Sequence, residues 1–218
     1  MGNTSKKYRN KKLANIGIAA IIIILVVSFF VSQSSKTVDP STFADVEVQA
    51  IEPRLRGNEA SEIVLTKYSD FQCPACAQAS VAIKSLNEQF GDQFVLEYKH
   101  LPLRSIHPNA QIAAQASEAA GMQGKFWEMH DLLFEKQSEW SRALNPKKVF
   151  NEYAVELGLN PDRFDFDLDS EEVKEKVNSD AEEAQALGFS GTPSFTVNGE
   201  VSSFDEFFGM LDVEVVEE

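Results

Sequence analysis

Both cysteines of this 218-residue chain, Cys73 and Cys76, stand in a single Cys-Pro-Ala-Cys at the junction of two opposite patterns. Before it, Glu62-Ile63-Val64-Leu65-Thr66-Lys67-Tyr68 is dense in β-branched and aromatic residues and predicts a buried strand. After it, Ala79, Ile83, Leu86 and Phe90 recur at helical spacing until Gly91. Phe94 to Tyr98 predicts a second strand, so the pair opens the helix of a βαβ unit. One pair of cysteines is too few for a disulfide-stapled scaffold, and a two-residue loop constrains little of the unfolded chain. A closed zinc site needs two further ligands, and His100, His107 and His130 are not paired at suitable spacing. A redox role is the reading that remains.

The helix start supplies the chemistry for it. Cys73 falls at the N-cap, Pro74 at the first helical position, where its missing N–H costs nothing, then Ala75, and Cys76 at the third. The positive end of the helix dipole favours a thiolate by at most ~2 kcal/mol, which brings a thiol from ~8.5 to about 7. Further lowering needs N–H···S bonds from Ala75 and Cys76. Cys73 is expected to be the exposed, attacking thiol. Cys76, one turn deeper, resolves the mixed disulfide. The chemistry calls for no metal and no cofactor beyond the redox-active Cys73–Cys76 disulfide.

A block of helices is predicted next, over about residues 105–187. It contains an Ala-rich run after Pro108, an aromatic helix from Phe126 to Phe134, Asn-Pro starts at Asn145 and Asn160, and a long acidic helix from Ser170 to Leu187. The acidic helix reads as a solvated face, His100 and His107 as surface or packing residues, and His130 as a satisfied core residue. Strands then return: Ser194 to Val197, a hairpin turn at Asn198-Gly199, and a partner near Val201. Ser203 and Glu206 form a capping box for a last helix. A cis Thr192–Pro193 bond before the strand would bend the chain against the redox pair and present the Thr192 backbone to a substrate peptide.

The first 38 residues differ in kind. Six basic residues and no acidic one precede Asp39, which leaves 14 of the 20 Lys and Arg to face all 34 Asp and Glu, a net charge of −20 from there on. Residues 13–31 form an apolar run of about 28 Å as a helix, close to the ~30 Å of a hydrocarbon core. The basic residues before it predict a cytoplasmic N-terminus at 1–12 and a single-pass membrane anchor, with the body outside the cytoplasm. The alternative is a signal peptide cleaved near Ser32-Gln33-Ser34. Residues 32–60, with Pro40 and Pro53, read as a linker to a domain over 61–218. A hydrophobic fraction of 43% with 25% charged residues excludes a disordered chain and a multi-span membrane protein. The acidic body argues against nucleic acid as a partner.

Tyr68-Ser69-Asp70-Phe71-Gln72-Cys73-Pro74-Ala75-Cys76, Gly124 to Leu133, and Gly188 to Gly199 together resemble the thioredoxin-like disulfide oxidoreductases of the DsbA type. The resemblance covers roughly Ala60 to the C-terminus. It implies an α/β thioredoxin fold, βαβ…ββα, interrupted by a helical insertion. It also implies thiol–disulfide exchange outside the cytoplasm on exported proteins with free thiols. Oxidation is the expected direction, with a separate quinone-linked membrane partner as reoxidant. Reduction or isomerisation, or a non-catalytic peptide-binding or chaperone module, are the alternatives. Two positions depart from the family. Strong oxidants often carry a histidine where Ala75 stands, so a milder oxidant is expected. Many relatives carry a buried acid where Lys67 stands. A buried lysine there would favour a thiolate by charge, and an exposed one on the strand's other face would do nothing.

Overall fold

The computed structural model describes residues 51–211. The basic segment, the apolar run at 13–31 and the cleavage alternative at Ser32-Gln33-Ser34 lie outside the described residues. Among the described residues, no helix is long and apolar enough to cross a membrane.

Five strands form one mixed sheet: β1 (Arg54–Gly57), β2 (Val64–Ser69), β3 (Val95–His100), β4 (Ser194–Val197) and β5 (Glu200–Ser202), in spatial order β1-β3-β2-β4-β5. β2 and β3 run parallel, with Lys67 opposite Tyr98, and every other pairing is antiparallel. The crossover between β2 and β3 is α1 (Pro74–Phe90). β2 is the middle strand, which is why nearly all of it is buried. Leu65 joins Ile83 of α1 in one core, while Tyr68 packs on Ala181 and Ala184 on the opposite face.

The insertion comprises α2 (Ala110–Gly121), α3 (Phe126–Glu135), α4 (Gln137–Trp140), α5 (Pro146–Glu156), α6 (Pro161–Leu168) and α7 (Glu171–Ala186). Its starts follow the capping signals: Asn145, Asn160 and Ser170 each accept a backbone N–H from three residues on. Small side chains let α2 be buried along nearly its whole length. Its core is continuous with Phe71, Cys73 and Cys76, so the insertion packs directly against the redox segment. The chain closes with α8 (Phe204–Phe208), whose capping box is formed as predicted.

Two expectations are corrected. Residues 54–57, expected to belong to a linker, form the edge strand β1. Its apolar content is a single leucine, so it carries no strand-like hydrophobic pattern. It is held by pairing with β3 and by two arginines that reach the insertion: Arg54 to Glu118 and Arg56 to Asp131. The acidic helix α7 is also more than a solvated face. Its Asp180 is buried and accepts the His100 backbone N–H, and Glu183 accepts from the Tyr68 hydroxyl and from Lys99.

Candidate active site

The redox pair sits where β2 hands the chain to α1. Cys73 is the N-cap residue with extended backbone, and Pro74 occupies the first turn. The approach loop is pinned by Asp70, whose carboxylate accepts from the Gln72 N–H at 2.7 Å, the Leu103 N–H at 2.9 Å and His107 Nδ1 at 2.7 Å. Its carbonyl accepts the Cys73 N–H at 3.1 Å. The insertion grips the same loop from outside: Gln137 Nε2 donates to the carbonyls of Phe71 and Cys73, and Gln72 Nε2 to that of Ser141. Gln137 carries no motif of its own. Asp70 stands in the segment that carries the family resemblance, but nothing in that segment marks it as the anchor of the loop.

The two cysteines are free thiols here and differ sharply. The Cys73 thiol is lowered to about 5. A hydrogen bond from the Cys76 thiol is the main cause. Burial opposes it, and the proximity of Thr192 and of the N–H groups at the start of α1 adds to the lowering. Cys76 is raised, because it gives that hydrogen bond and is desolvated. The helix start thus favours a thiolate at Cys73, although the Cys73 side chain makes no capping hydrogen bond to the first-turn N–H groups that the expectation called for. A second expectation changes: Cys73 is only 7% exposed. Thr192 covers it, with its carbonyl oxygen 3.5 Å from Sγ. The Thr192–Pro193 bond is cis. Pro74 and Ala75 are the exposed part of the motif.

Lys67 lies beneath the pair. It is 1% exposed, which removes the alternative of a solvent-facing lysine. Its Nζ is 2.5 Å from Ser80 Oγ and 3.4 Å from the carbonyl of Cys76, over the ring of Phe134. Burial pushes its ammonium down to about 8, against the pull of Cys76, Cys73 and Asp131. His100 and His130 are buried in an aromatic cluster around Phe71 and Tyr98. His100 Nε2 pairs with Glu118, and His130 Nδ1 with Asp131. Burial pushes His130 down to about 4 despite that hydrogen bond. Both imidazoles thus direct their hydrogen bonds to carboxylates of the insertion and act as packing residues behind the redox loop.

The comparisons converge on this architecture. The model of a family described as Thioredoxin matches residues 49–212. A thioredoxin-like oxidoreductase from Silicibacter pomeroyi aligns at 26% identity over 68% of this chain and 82% of its own, with a TM-score of 0.59. Oxidised BdbD from Bacillus subtilis aligns at 22% identity over 72% and 89%, with a TM-score of 0.62. Among curated relatives, a protein from Mycolicibacterium vanbaalenii named Na(+)/H(+) antiporter NhaA 1 is 36% identical over 85% of this chain. The chain spans only 30% of that relative's length. A namesake from Salinispora arenicola is 41% identical over 71% of this chain and 23% of its own.

Proposed function

Because this chain belongs to the thioredoxin family, we propose that it is a thiol:disulfide oxidoreductase working outside the cytoplasm, chiefly as an oxidase of exported proteins. The observation that carries the reading is the asymmetry of the pair: a thiolate-favouring Cys73 at a helix N-terminus and a protonated, more deeply buried Cys76. In the oxidised enzyme a substrate thiolate attacks Cys73 Sγ. The Cys73–Cys76 bond breaks, and its electron pair leaves on Cys76, which takes up a proton. A second substrate thiolate then attacks the substrate sulfur of the mixed disulfide and releases Cys73 as a thiolate. The substrate has lost two electrons and the enzyme has gained them. Attack by Cys76, the resolving step expected from the sequence, runs the first step backwards in this direction and resolves the mixed disulfide only when the enzyme acts as a reductant. A low-pKa Cys73 is the better leaving group, which favours release of oxidised substrate. The Thr192 main chain beside the sulfur supports a role in holding the substrate's extended backbone.

The membrane location rests on the basic head and apolar run of the sequence. The relatives named as antiporters, in which the matching segment is a minor part, support a redox unit stationed beside a membrane. Reoxidation by a separate quinone-linked membrane protein completes the cycle. The test is the Cys73–Cys76 reduction potential, together with Cys76→Ser trapping of mixed disulfides in the exported fraction. A potential near that of thioredoxin, about −270 mV, overturns the oxidase reading in favour of a reductase. A Cys73→Ala protein with full biological activity overturns the enzymatic reading altogether.

A further inference from the structure

Lys67 is among the largest side chains buried to below 2% exposure, and the only charged one in that group among the described residues. A buried ammonium normally has a carboxylate in contact. The hydrogen bonds of Lys67 go to two neutral oxygens, Ser80 Oγ at 2.5 Å and the Cys76 carbonyl at 3.4 Å. Both lie on α1, in the two turns that begin with the redox pair. The rest of its surroundings are ring faces: Phe134 at 4.9 Å and Tyr98 at 5.8 Å from ring centroid to Nζ. A lysine kept in such a place without a carboxylate in contact costs folding energy. That cost has a counterpart if a negative charge forms nearby during turnover. The charge available is the single thiolate of the reduced pair, which acts to hold Lys67 protonated.

We propose that Lys67 is a positioning residue for the redox chemistry, whose ammonium stabilises the thiolate of the reduced Cys73–Cys76 pair from beneath and thereby makes the disulfide more oxidising. The inference rests on the proposed thiol–disulfide function. The charge enters from the back of α1, where the exposed position at Ala75 offers none from the front. Ser80, half-buried, also lines a groove with Lys84, Asp131 and Phe134. It thus places the hydrogen-bond partner of Lys67 at the wall of a groove whose lining does not include Thr192. The other charged or titratable groups that face Lys67 are Asp131 and His130 on α3 and Tyr98 on β3. Asp131 is engaged by Arg56 and His130. His130 is held neutral by burial, and Tyr98 is pushed well above the phenol range by burial.

The experiment compares full-length wild type with Lys67→Met, Lys67→Gln and Lys67→Arg in glutathione redox equilibrium and in the pH dependence of Cys73 alkylation. Lys67→Met and Lys67→Gln are expected to lower the equilibrium constant for oxidising glutathione about tenfold, or about 30 mV. Both should raise the Cys73 ionisation by about one pH unit, and Lys67→Arg should restore most of the effect. Equilibrium constants within twofold of wild type in both neutral variants overturn the proposal. Wild type supplies a reading that needs no variant to fold. If Lys67 binds its proton more tightly when the thiolate is present, the potential should fall more steeply with pH around pH 8, from about one proton per two electrons towards two. A constant one-proton slope from roughly pH 6 to 9 also overturns it. Failure of the oxidoreductase reading looks different: wild type itself would show no Cys73 mixed disulfide and no reversible reaction with glutathione.

Discussion

Cys73 Sγ lies 3.5 Å from the carbonyl oxygen of Thr192, a residue 119 positions later in the chain. The contact joins the start of α1 to the loop before β4, two segments separated by the whole helical insertion. Thr192 presents two polar groups near the same sulfur: a carbonyl that accepts from the thiol, and a buried hydroxyl without a hydrogen-bond partner, which can turn to a thiolate.

Thr192→Val separates these roles, because it keeps the backbone and the shape and deletes the hydroxyl. It should raise the Cys73 ionisation above about 5 by about half to one pH unit, the worth of one neutral hydrogen bond. Rates of iodoacetamide alkylation across pH measure this directly. An unchanged profile would mean that the hydroxyl plays no part in stabilising the sulfur anion.

Ala75→His should make the protein more oxidising. Position 75 is exposed, so an imidazole can be added without repacking. Once protonated it sets a cation beside the thiolate at the helix start, worth about tenfold in the glutathione equilibrium. The gain should be present at pH 6 and fade by pH 8, as the imidazole passes its ordinary value of about 6.5. A gain of the same size at both pH values would rule out charge as its origin.

How much of this is legible in the sequence depends on whether the signal is local. The redox helix is readable because Pro74, the N-cap position of Cys73 and the apolar spacing after it all act within a few residues. The hairpin at Asn198-Gly199 is readable for the same reason: Asn198 and Gly199 both take positive φ, at 50° and 83°. β1 is not, since Arg-Leu-Arg-Gly becomes a strand only through β3 and two ion pairs to the insertion. Asp70 and Gln137 escape notice because their roles consist of hydrogen bonds to main-chain groups, which leave no periodicity. Lys67 is visible as an oddity, but which face of β2 it takes follows from register, since Leu65 and Lys67 share the side covered by α1.

The thiolate also predicts a difference in stability between the two redox states. The Cys73 thiol falls from an ordinary 9.0 to about 5 in the folded protein. A lowered value contributes stability that is complete above the unfolded value and is lost as pH falls through the folded one. The reduced form should therefore gain on the oxidised form as pH rises from about 5 to about 9. At pH 7 the gain should be partial, and near pH 4.5 it should vanish. The buried His130 and the carboxylates are common to both forms, so they cancel in the difference. Thermal unfolding of oxidised and reduced protein at pH 4.5, 7 and 8.5 checks this. A Tm of the reduced form that does not fall relative to that of the oxidised form on acidification would contradict a stabilised Cys73 thiolate.

The edge strand makes a separate prediction about stability. Arg54 Nε and Nη2 both donate to Glu118 Oε2, at 3.0 and 2.5 Å, and Glu118 Oε1 is 2.8 Å from His100 Nε2. Glu118 is fully buried within α2. Burial opposes its charge, but His100 and Arg54 hold its carboxyl below the usual range. Arg54→Ala removes one partner and leaves that carboxylate buried with the His100 imidazole alone. The loss should be about 3–5 kcal/mol, the cost of breaking a buried ion pair from one side. Arg54→Lys should recover only part of it, because an ammonium cannot reproduce the two-nitrogen approach of the guanidinium. Urea unfolding midpoints of the oxidised proteins measure both. If Arg54→Ala costs less than about 1 kcal/mol, a figure typical of exposed pairs, then residues 54–57 contribute no more than a tether would, and β1 is incidental to the fold.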